Sequence, residues 1–358
     1  MKKKVVLYID TMYRGGAQRV MSVLAEYLVN NDYEVLLIND FEPNDKNNEY
    51  SLPSKIHRVY LQKENKGNIA IKNIKRINEL RRLIKMEKPD TVLSFLGRPN
   101  FRMLLSTIGI KSRKIVSVRN DPNKEYGGSF IKKVITNLIF LLADGYVFQT
   151  PDARRYFIKK IQNNSKIIFN PVDEKFYNTK IVENKKNIIT VGRLETQKNQ
   201  KLLLDAFELI TKDFPNENLI IYGEGSLEKE LKDYAMKKNI FGKIFFKGNV
   251  LNVENELSKA KVFVLSSDYE GMPNALMEAM ATGIACVSTD CPCGGPRLLI
   301  ENDEQGILVP CNDSKKLSNA IKNVLNSDYN QIGKNAKIRA MCFKTQKIMK
   351  QWEDYLFY

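Results

Sequence analysis

Histidine, tryptophan and paired cysteines are scarce in this sequence. Its 358 residues include one histidine, one tryptophan and five cysteines. The cysteines form no paired framework, and Cys291-Pro-Cys293 lacks the second ligand pair that a zinc site needs. We therefore expect reduced thiols and no metal ion. His57 lies in the strand-like run 56–61, where a lone histidine favours a structural role.

Long apolar runs are also missing. The longest, Val134–Ala143, contains Asn137 and is too short to cross a bilayer. The opening MKKKVVLYID has a basic tip, but Asp10 interrupts the apolar run and no small-residue cleavage site follows. This pattern favours a first β-strand over a signal peptide. We expect a cytoplasmic protein.

The remaining composition is that of a globular protein, with 43% hydrophobic and 27% charged residues. The length suffices for two ordinary domains. Apolar β-branched runs alternate with amphipathic segments from Val5–Ile9 to 167–169, and the alternation restarts at Ile188–Val191. Such alternation predicts an α/β fold with parallel sheets.

The most informative stretch is 262–297, VFVLSSDYEGMPNALMEAMATGIACVSTDCPCGGPR. It predicts a strand at 262–265, a helix at 274–281 with Asn274 as its N-cap, and a strand at 284–288. Glu270 falls in the loop and Glu278 on the helix. Open α/β sheets bind ligands at the carboxyl ends of their strands, beside helix N-termini that favour phosphate. Carboxylates placed there suit the hydroxyls of a sugar and a ribose.

This stretch resembles the donor-binding motif of glycosyltransferase family 4, a retaining family with the GT-B fold. The resemblance is carried by E-x7-E at Glu270 and Glu278, by GMPNALMEAMA and by STDCPCGGPR. The last two also resemble bacterial enzymes that build surface polysaccharide on a lipid-diphosphate carrier.

Four further segments fit the same family. GGAQRV, with Gly15 and Gly16, resembles the family's first loop, where glycines let backbone N–H groups approach the donor diphosphate. GRL-x4-K places Arg193 and Lys198 beside a predicted helix start, where two cations can neutralise a diphosphate without a metal. The turn at Gly223 and the segment 245–250 resemble the borders of the nucleotide pocket.

The segment 117–122, SVRNDP, resembles the family's stretch that faces the acceptor. Many members have a histidine in this stretch, whereas this sequence has Arg119-Asn120. We therefore assign no general base in this half of the chain.

The resemblance implies two Rossmann-like domains that face each other across a cleft. Residues 1–172 would form the acceptor-side domain and 173–341 the nucleotide-sugar domain, with the final helix, 342–358, packing back on the first domain through Trp352. It further implies transfer of a hexose or N-acetylhexosamine from a nucleotide sugar, with UDP as the nucleotide, to a glycan or lipid-linked acceptor. No cofactor is expected.

The implied site residues have separate roles. Glu270, Arg193 and Lys198 would act in catalysis, and Glu278 would bind the ribose. The full implied donor-binding set is Gly15, Gly16, Arg193, Lys198, Gly223, Asn249, Met272, Pro273, Asn274 and Glu278.

The net charge of +16 is concentrated in one stretch. Residues 51–170 hold 25 basic and eight acidic side chains, many of the basic ones on the predicted helix 68–88. On that helix we expect the isoleucines to be buried and the cations exposed. A solvated surface, anionic lipid, a phosphate-bearing acceptor and nucleic acid all suit such a face. We favour the inner face of the cell membrane, because no nucleic-acid-binding motif accompanies the charge.

Two other functions fit the same fold. A sugar-nucleotide epimerase would need acid–base carboxylates or histidines, and the single histidine argues against it. A non-catalytic partner subunit would be expected to lose the cations or the glutamates, and all four are present.

Overall fold

The computed structural model describes residues 2–43, 45, 48–62, 68–180, 182 and 184–358. Contacts divide the chain into a first domain, Met1–Asn170 with Gln346–Tyr358, and a second domain, Pro171–Thr345. The first boundary lies two residues before the predicted one, at 172, and the second lies four residues after the predicted one, at 341. Val172 donates its backbone N–H to Phe343 (2.9 Å), and this pairing keeps both chain segments with the second domain.

The first domain contains one parallel sheet with helices between its strands. The strands are β1 Lys4–Tyr8, β2 Glu34–Phe41, β3 His57–Gln62, β4 Thr91–Phe95, β5 Arg113–Ser117, β6 Gly145–Phe148 and β7 Ser165–Ile167. The helices are α1 Gly16–Asn30, α2 Ile69–Glu87, α3 Gly97–Ser106, α4 Pro122–Glu125, α5 Phe130–Phe140, α6 Pro151–Arg155 and α7 Lys159–Asn163. The strand order is β3-β2-β1-β4-β5-β6-β7, so the direction of winding reverses between β1 and β4.

The second domain repeats this plan. Its strands are β8 Ile188–Val191, β9 Leu219–Tyr222, β10 Ile244–Phe246, β11 Val262–Leu265, β12 Ala285–Thr289 and β13 Ile307–Val309. Its helices are α8 Glu174–Tyr177, α9 Gln200–Asp213, α10 Glu228–Lys237, α11 Val253–Lys259, α12 Asn274–Thr282, α13 Gly295–Leu299, α14 Ser314–Asn326 and α15 Tyr329–Ala340. The parallel order is β10-β9-β8-β11-β12-β13, with reversal between β8 and β11. Two parallel Rossmann-like sheets were predicted, and that fold class is confirmed.

Parallel strands are buried on both faces, which explains their nearly continuous apolar sequences. In β1, Val5 and Leu7 join the core on one side of the sheet, and Val6 and Tyr8 join the core on the other. The last helix, α16 Thr345–Phe357, belongs to the first of these cores. Its Trp352 is fully buried, with its ring centroid 5.4 Å from that of Phe95.

The burial pattern predicted for α2 is wrong in the first half of the helix. Ile69 and Ile74 are 67% and 60% exposed, whereas Arg76 is only 6% exposed. Arg76 lies 3.2 Å from the carboxylate of Asp40 at the end of β2, and that buried anion determines the inward face. Part of the positive charge counted on this helix is therefore neutralised inside the domain. The neighbouring basic residues at 63 and 66 lie outside the described residues.

Candidate active site

The predicted donor-site residues of the second domain lie in loops at the carboxyl ends of its strands. The loop after β8 carries Arg193 and Lys198, and the loop after β11 carries Glu270. The two loops are joined directly, because Asp268 donates its backbone N–H to Gln197 (2.9 Å) and Ser266 donates its hydroxyl to the carbonyl of Lys198 (2.9 Å). The winding reversal between β8 and β11 places them at the crevice where open α/β sheets bind ligands.

Lys198 and Glu270 form an ion pair at the centre of this edge. Lys198 Nζ lies 2.5 Å from Glu270 Oε1, and the two side chains are 18% and 8% exposed. The Ser267 hydroxyl donates to the same oxygen (2.7 Å), and the Gln197 amide donates to Oε2 (3.4 Å). A buried carboxylate needs such partners, since a lone one would be costly. The contacts fix the carboxylate in place, and an ammonium group retains two further N–H donors for a ligand.

Arg193 is the more open cation. Its side chain is exposed, and its backbone carbonyl accepts from the Gln200 amide (2.8 Å) at the start of α9. No acidic side chain of the described residues lies within ion-pair distance of its guanidinium. This leaves the guanidinium available for bidentate contact with phosphate oxygens.

The predicted glycine turn after β9 is required by its geometry. Gly223 has φ of +124°, and a Cβ added there would lie 2.0 Å from the carbonyl oxygen of Gly192. Its N–H donates to the carbonyl of Gly248 (2.8 Å), so the ends of β8, β9 and β10 approach closely here. Asn249 follows at once and is exposed. Only glycine satisfies both the backbone conformation and the space at residue 223.

Helix α12 begins one residue differently from the prediction. Its N-cap is Pro273, Asn274 is already its first helical residue, and no side chain caps it by a hydrogen bond. Proline cannot cap through a side-chain oxygen, so the first N–H groups remain suited to an anion. Glu278 lies on this helix and is only 7% exposed, and Met272 in the preceding loop is 5% exposed.

Gly15 and Gly16 lie in the first domain, at the start of α1. Gly15 is the N-cap of this 15-residue helix, with φ of −165°, and no side chain caps the helix by a hydrogen bond. That backbone conformation is open to any residue, and a Cβ on Gly15 would meet only the flexible tip of Gln18. A glycine at residue 15 is therefore explained by close approach of a ligand and not by backbone strain.

Arg119 and Glu125 form a polar group that the sequence analysis left without a role. Arg119 follows β5, is 7% exposed, and donates to Asn170 Oδ1. Glu125 ends α4, and its Oε1 accepts the N–H of Gly97 (2.6 Å). Burial lowers the pKa of Arg119 to about 9 and raises that of Glu125 to about 7. The sequence gives no signal for Glu125, because only the fold brings it beside β4.

Cys291 and His57 were the other candidates for reactive groups. Burial raises the pKa of the Cys291 thiol well above its ordinary value, with the negative charge of Glu270 adding to the effect. His57 is exposed on β3 at the sheet edge. Among the described residues, no cluster of three or more histidine, cysteine, aspartate or glutamate side chains could hold a metal ion.

Comparison with known proteins identifies the family. The family profile described as Glycosyl transferases group 1 matches residues 171–339, and that described as Glycosyltransferase Family 4 matches residues 14–176.

One curated relative is an alpha-1,4-N-acetyl-D-galactosaminyltransferase of Campylobacter jejuni named for the acceptor GalNAc-alpha-(1->4)-GalNAc-alpha-(1->3)-diNAcBac-PP-undecaprenol. It is 28% identical, with 98% of this chain and 97% of the relative covered. A second, the 4-alpha-N-acetylgalactosaminyltransferase of the same organism named for N-acetylgalactosamine-N,N'-diacetylbacillosaminyl-diphospho-undecaprenol, is also 28% identical, with 99% of each chain covered.

Solved structures show the same fold at low identity. Sucrose-phosphate synthase from Thermosynechococcus elongatus has a TM-score of 0.85 at 16% identity, covering 99% of this chain and 98% of its own. HepE of Anabaena, solved in complex with UDP, has a TM-score of 0.81 at 16% identity, covering 99% of each chain. Taken with the two family profiles, which together span residues 14–339, these matches show that the chain is a glycosyltransferase of family 4 with the GT-B fold.

Proposed function

We propose that this enzyme moves a hexose or N-acetylhexosamine from a nucleotide sugar, with UDP as the nucleotide, to a glycan acceptor held on a lipid diphosphate. The anomeric configuration is retained, no metal takes part, and the product enters surface polysaccharide. The observation that carries the proposal is the Lys198–Glu270 pair beside the exposed Arg193 at the carboxyl edge of the second sheet. Relatives named for undecaprenyl-diphosphate acceptors support the acceptor class.

The leaving nucleoside diphosphate is the group that needs most stabilisation. When the bond between the sugar C1 and the diphosphate oxygen breaks, negative charge develops on the phosphate. Arg193, the two remaining donors of Lys198 and the N-terminus of α12 can all face that charge. These cations replace the metal ion that other transferases use. The acceptor hydroxyl attacks on the same face of the sugar and gives its proton to the departing diphosphate oxygen.

Two glutamates would hold the donor substrate in position for transfer of the sugar. Glu278 suits the ribose, since the two oxygens of a buried carboxylate near a helix N-terminus can accept hydrogen bonds from two ribose hydroxyl groups. Glu270 suits the transferred sugar, because its carboxylate is already fixed by Lys198 and Ser267. Such fixed groups lose little entropy when the substrate binds.

A lipid-linked acceptor requires the enzyme to work at a membrane surface. In the part of the chain that the structure describes, no helix is both long and apolar enough to cross a bilayer. The first domain instead presents apolar side chains on α5, where Phe130, Ile131 and Leu138 are 80%, 71% and 61% exposed. Clusters of exposed apolar residues of this kind mark interaction surfaces.

Positive charge accompanies this apolar face. Lys132 and Lys133 lie on α5 itself, and Arg154, Arg155, Lys159 and Lys160 lie on the two helices that follow it. Between α5 and the following helices lies a groove of about 440 Å³, lined by side chains that include Leu138 and Ile158. An apolar helix face bordered by cations suits insertion among anionic lipid headgroups, at about 1 kcal/mol per cation near the surface. We therefore assign the membrane contact to α5 and its neighbours in preference to α2.

Vesicle sedimentation tests this contact. Wild-type protein should sediment with phosphatidylglycerol vesicles and not with phosphatidylcholine vesicles. Replacing Ile131 and Leu138 together by serine should weaken binding at least tenfold. Ile338→Ser, at an equally exposed isoleucine of the second domain (70%), should have no effect and serves as the matched control. Equal binding by all three proteins would remove α5 from the proposal.

A nucleotide-release assay tests the activity itself. Purified protein is given UDP-, GDP- and ADP-sugars in EDTA, with and without a membrane lipid extract. The proposal predicts lipid-dependent release of UDP from one donor, undiminished by EDTA. Isomerised donor without release would indicate an epimerase, and no turnover with no donor binding would contradict the enzyme assignment for this site.

A further inference from the structure

Several buried polar groups near the carboxyl edge of the first sheet have no hydrogen-bond partner. Within the described residues, these atoms are Ser117 Oγ, Arg119 Nε and Nη1, Glu125 Oε2, Gln149 Oε1 and Trp352 Nε1. They belong to segments that end or follow β5 and β6 and to the helix that packs beside β4. Each buried group of this kind destabilises the fold unless a hydrogen-bond partner satisfies it. Their concentration in one place indicates a site that a ligand or water can satisfy.

Arg119 is held in place, while its Nε and Nη1 have no hydrogen-bond partner among the described residues. The guanidinium donates to Asn170 Oδ1, which also accepts from the Gln149 amide (2.7 Å). It lies 4.8 Å from the ring centroid of Phe95, a cation–π contact that fixes its plane. A buried arginine without a carboxylate at ion-pair distance is unusual, since buried charges are normally paired.

Glu125 lies at the winding reversal of the first sheet. Its Oε1 accepts from Gly97, which begins α3 two residues after the end of β4, while its Oε2 is buried and unpartnered among the described residues. Asp10, which follows β1, is close enough to raise the pKa of Glu125. Because β1 and β4 are the strands between which the winding reverses, this carboxyl group borders the crevice where open α/β sheets bind ligands.

The charges around Glu125 set its titration. Burial raises its pKa to about 7, the Gly97 N–H and Arg119 oppose that rise, and Asp10 and Asp121 add to it. The carboxyl group therefore changes its protonation state near neutral pH, as groups that handle protons or hydroxyls commonly do.

The unpartnered set contains both donors and acceptors. A fully ionised phosphate can only accept hydrogen bonds, whereas a sugar hydroxyl both donates and accepts. Arg119 can donate to the hydroxyl oxygen while Glu125 Oε2 accepts the hydroxyl hydrogen. This match favours a hydroxyl group over an anion.

We infer that Glu125 and Arg119 form the subsite of the first domain that binds the acceptor hydroxyl. The inference rests on the proposed transferase function and deepens it, since it supplies the acceptor-side residue that the missing histidine left open. No bond to the protein forms. The acceptor oxygen bonds to the sugar C1 as the C1–diphosphate bond breaks, and Glu125 orients the hydroxyl whose proton leaves with the diphosphate.

The test compares Glu125→Gln with Glu26→Gln, the same chemical change at an exposed position on α1. Release of UDP is measured against the amount of membrane lipid extract from pH 5.5 to 8.5, and UDP affinity is measured by calorimetry. Glu125→Gln should lower lipid-dependent release at least 30-fold, leave the UDP Kd within twofold, and abolish the loss of activity that we expect of wild type below about pH 7. Glu125→Asp, which keeps the charge, should recover part of the rate and the acidic limb.

The outcomes separate the two claims. If wild type releases UDP in a lipid-dependent way and Glu125→Gln matches it at every pH, the group holds water only and the subsite assignment falls. A parallel loss of UDP affinity would place Glu125 on the donor and would also overturn it. If wild type shows no lipid-dependent release, the proposed function fails, and the subsite fails with it.

Discussion

The polar groups at the edges of the two sheets are in opposite states. In the second domain the two loop carboxylates are paired before any ligand arrives. Lys198 holds Glu270, and the Asn199 amide donates to Asp268 (2.7 Å). These contacts fix the loop after β11 relative to the loop after β8, so the proposed donor site is largely pre-formed.

In the first domain the corresponding groups are only partly paired. Arg119 has two unused buried donors and Glu125 an unused buried oxygen, counting partners among the described residues. A pre-formed site binds with little reorganisation, whereas an unsatisfied one gains more from its ligand because the ligand removes an existing penalty. The difference suggests that donor binding depends on geometry and acceptor binding on hydrogen bonding.

The largest effect should come from Lys198→Ala. It removes a donor to the leaving diphosphate and leaves the Glu270 carboxylate without its cation, so kcat should fall by about 10²–10³. The control is Lys201→Ala, an exposed lysine at the start of α9. Initial rates of UDP release measure the change. Activity of Lys198→Ala within twofold of wild type would mean that the pair is only structural.

Gly223→Ala should break the pre-formed geometry without touching a charged group. The positive φ and the 2.0 Å approach to Gly192 O should reduce the free energy of unfolding of the second domain by about 1–3 kcal/mol and weaken UDP binding. Gly242→Ala is the matched control, because a Cβ there meets nothing within 4 Å. Urea unfolding measures the difference, and equal stability of the two variants would contradict the close approach.

Arg193→Ala should have a smaller effect, confined to activity. The side chain is exposed, so its loss should lower kcat/KM about tenfold while leaving the melting temperature unchanged. Lys315→Ala, at an exposed lysine on α14, controls for loss of positive charge. If both variants lose activity equally, the effect would be general attraction of the donor and not a specific contact.

The smallest expected change concerns stability and pH in the first domain. The folded pKa of Glu125 is raised to about 7, so the wild-type domain loses stability as pH rises toward 7, when the buried carboxyl must ionise. Glu125→Gln cannot ionise and should melt higher than wild type at pH 8 but not at pH 5. Melting curves at the two pH values measure this, and an equal difference at both would show that the carboxyl is not buried.

The parts of the fold that depend on local pattern were predictable. The predicted strand 262–265 coincides with β11, and the predicted helix 274–281 agrees with α12 to within one residue. Apolar periodicity and the glycine–proline turn determine both, and neither needs a distant partner.

What depended on distant partners could not be predicted. Arg76 on α2 is buried because it forms an ion pair with Asp40 on β2. The apolar periodicity of the helix does not reveal this pairing. Glu125 faces the sheet edge because the fold places α4 beside Gly97. Exposure of the apolar face of α5 also depends on the rest of the fold, because the apolar run alone does not indicate which helix face other elements cover.

Binding of UDP to Glu278→Ala tests the central claim most directly, that the second domain holds the nucleotide through its buried edge carboxylates. Calorimetric titration in EDTA should show the Kd for UDP rising at least tenfold relative to wild type, because the ribose loses its hydrogen-bond acceptor. The UDP affinity of Glu26→Gln should stay unchanged. An unaltered Kd in Glu278→Ala, with the domain still folded, would contradict the account of the donor site.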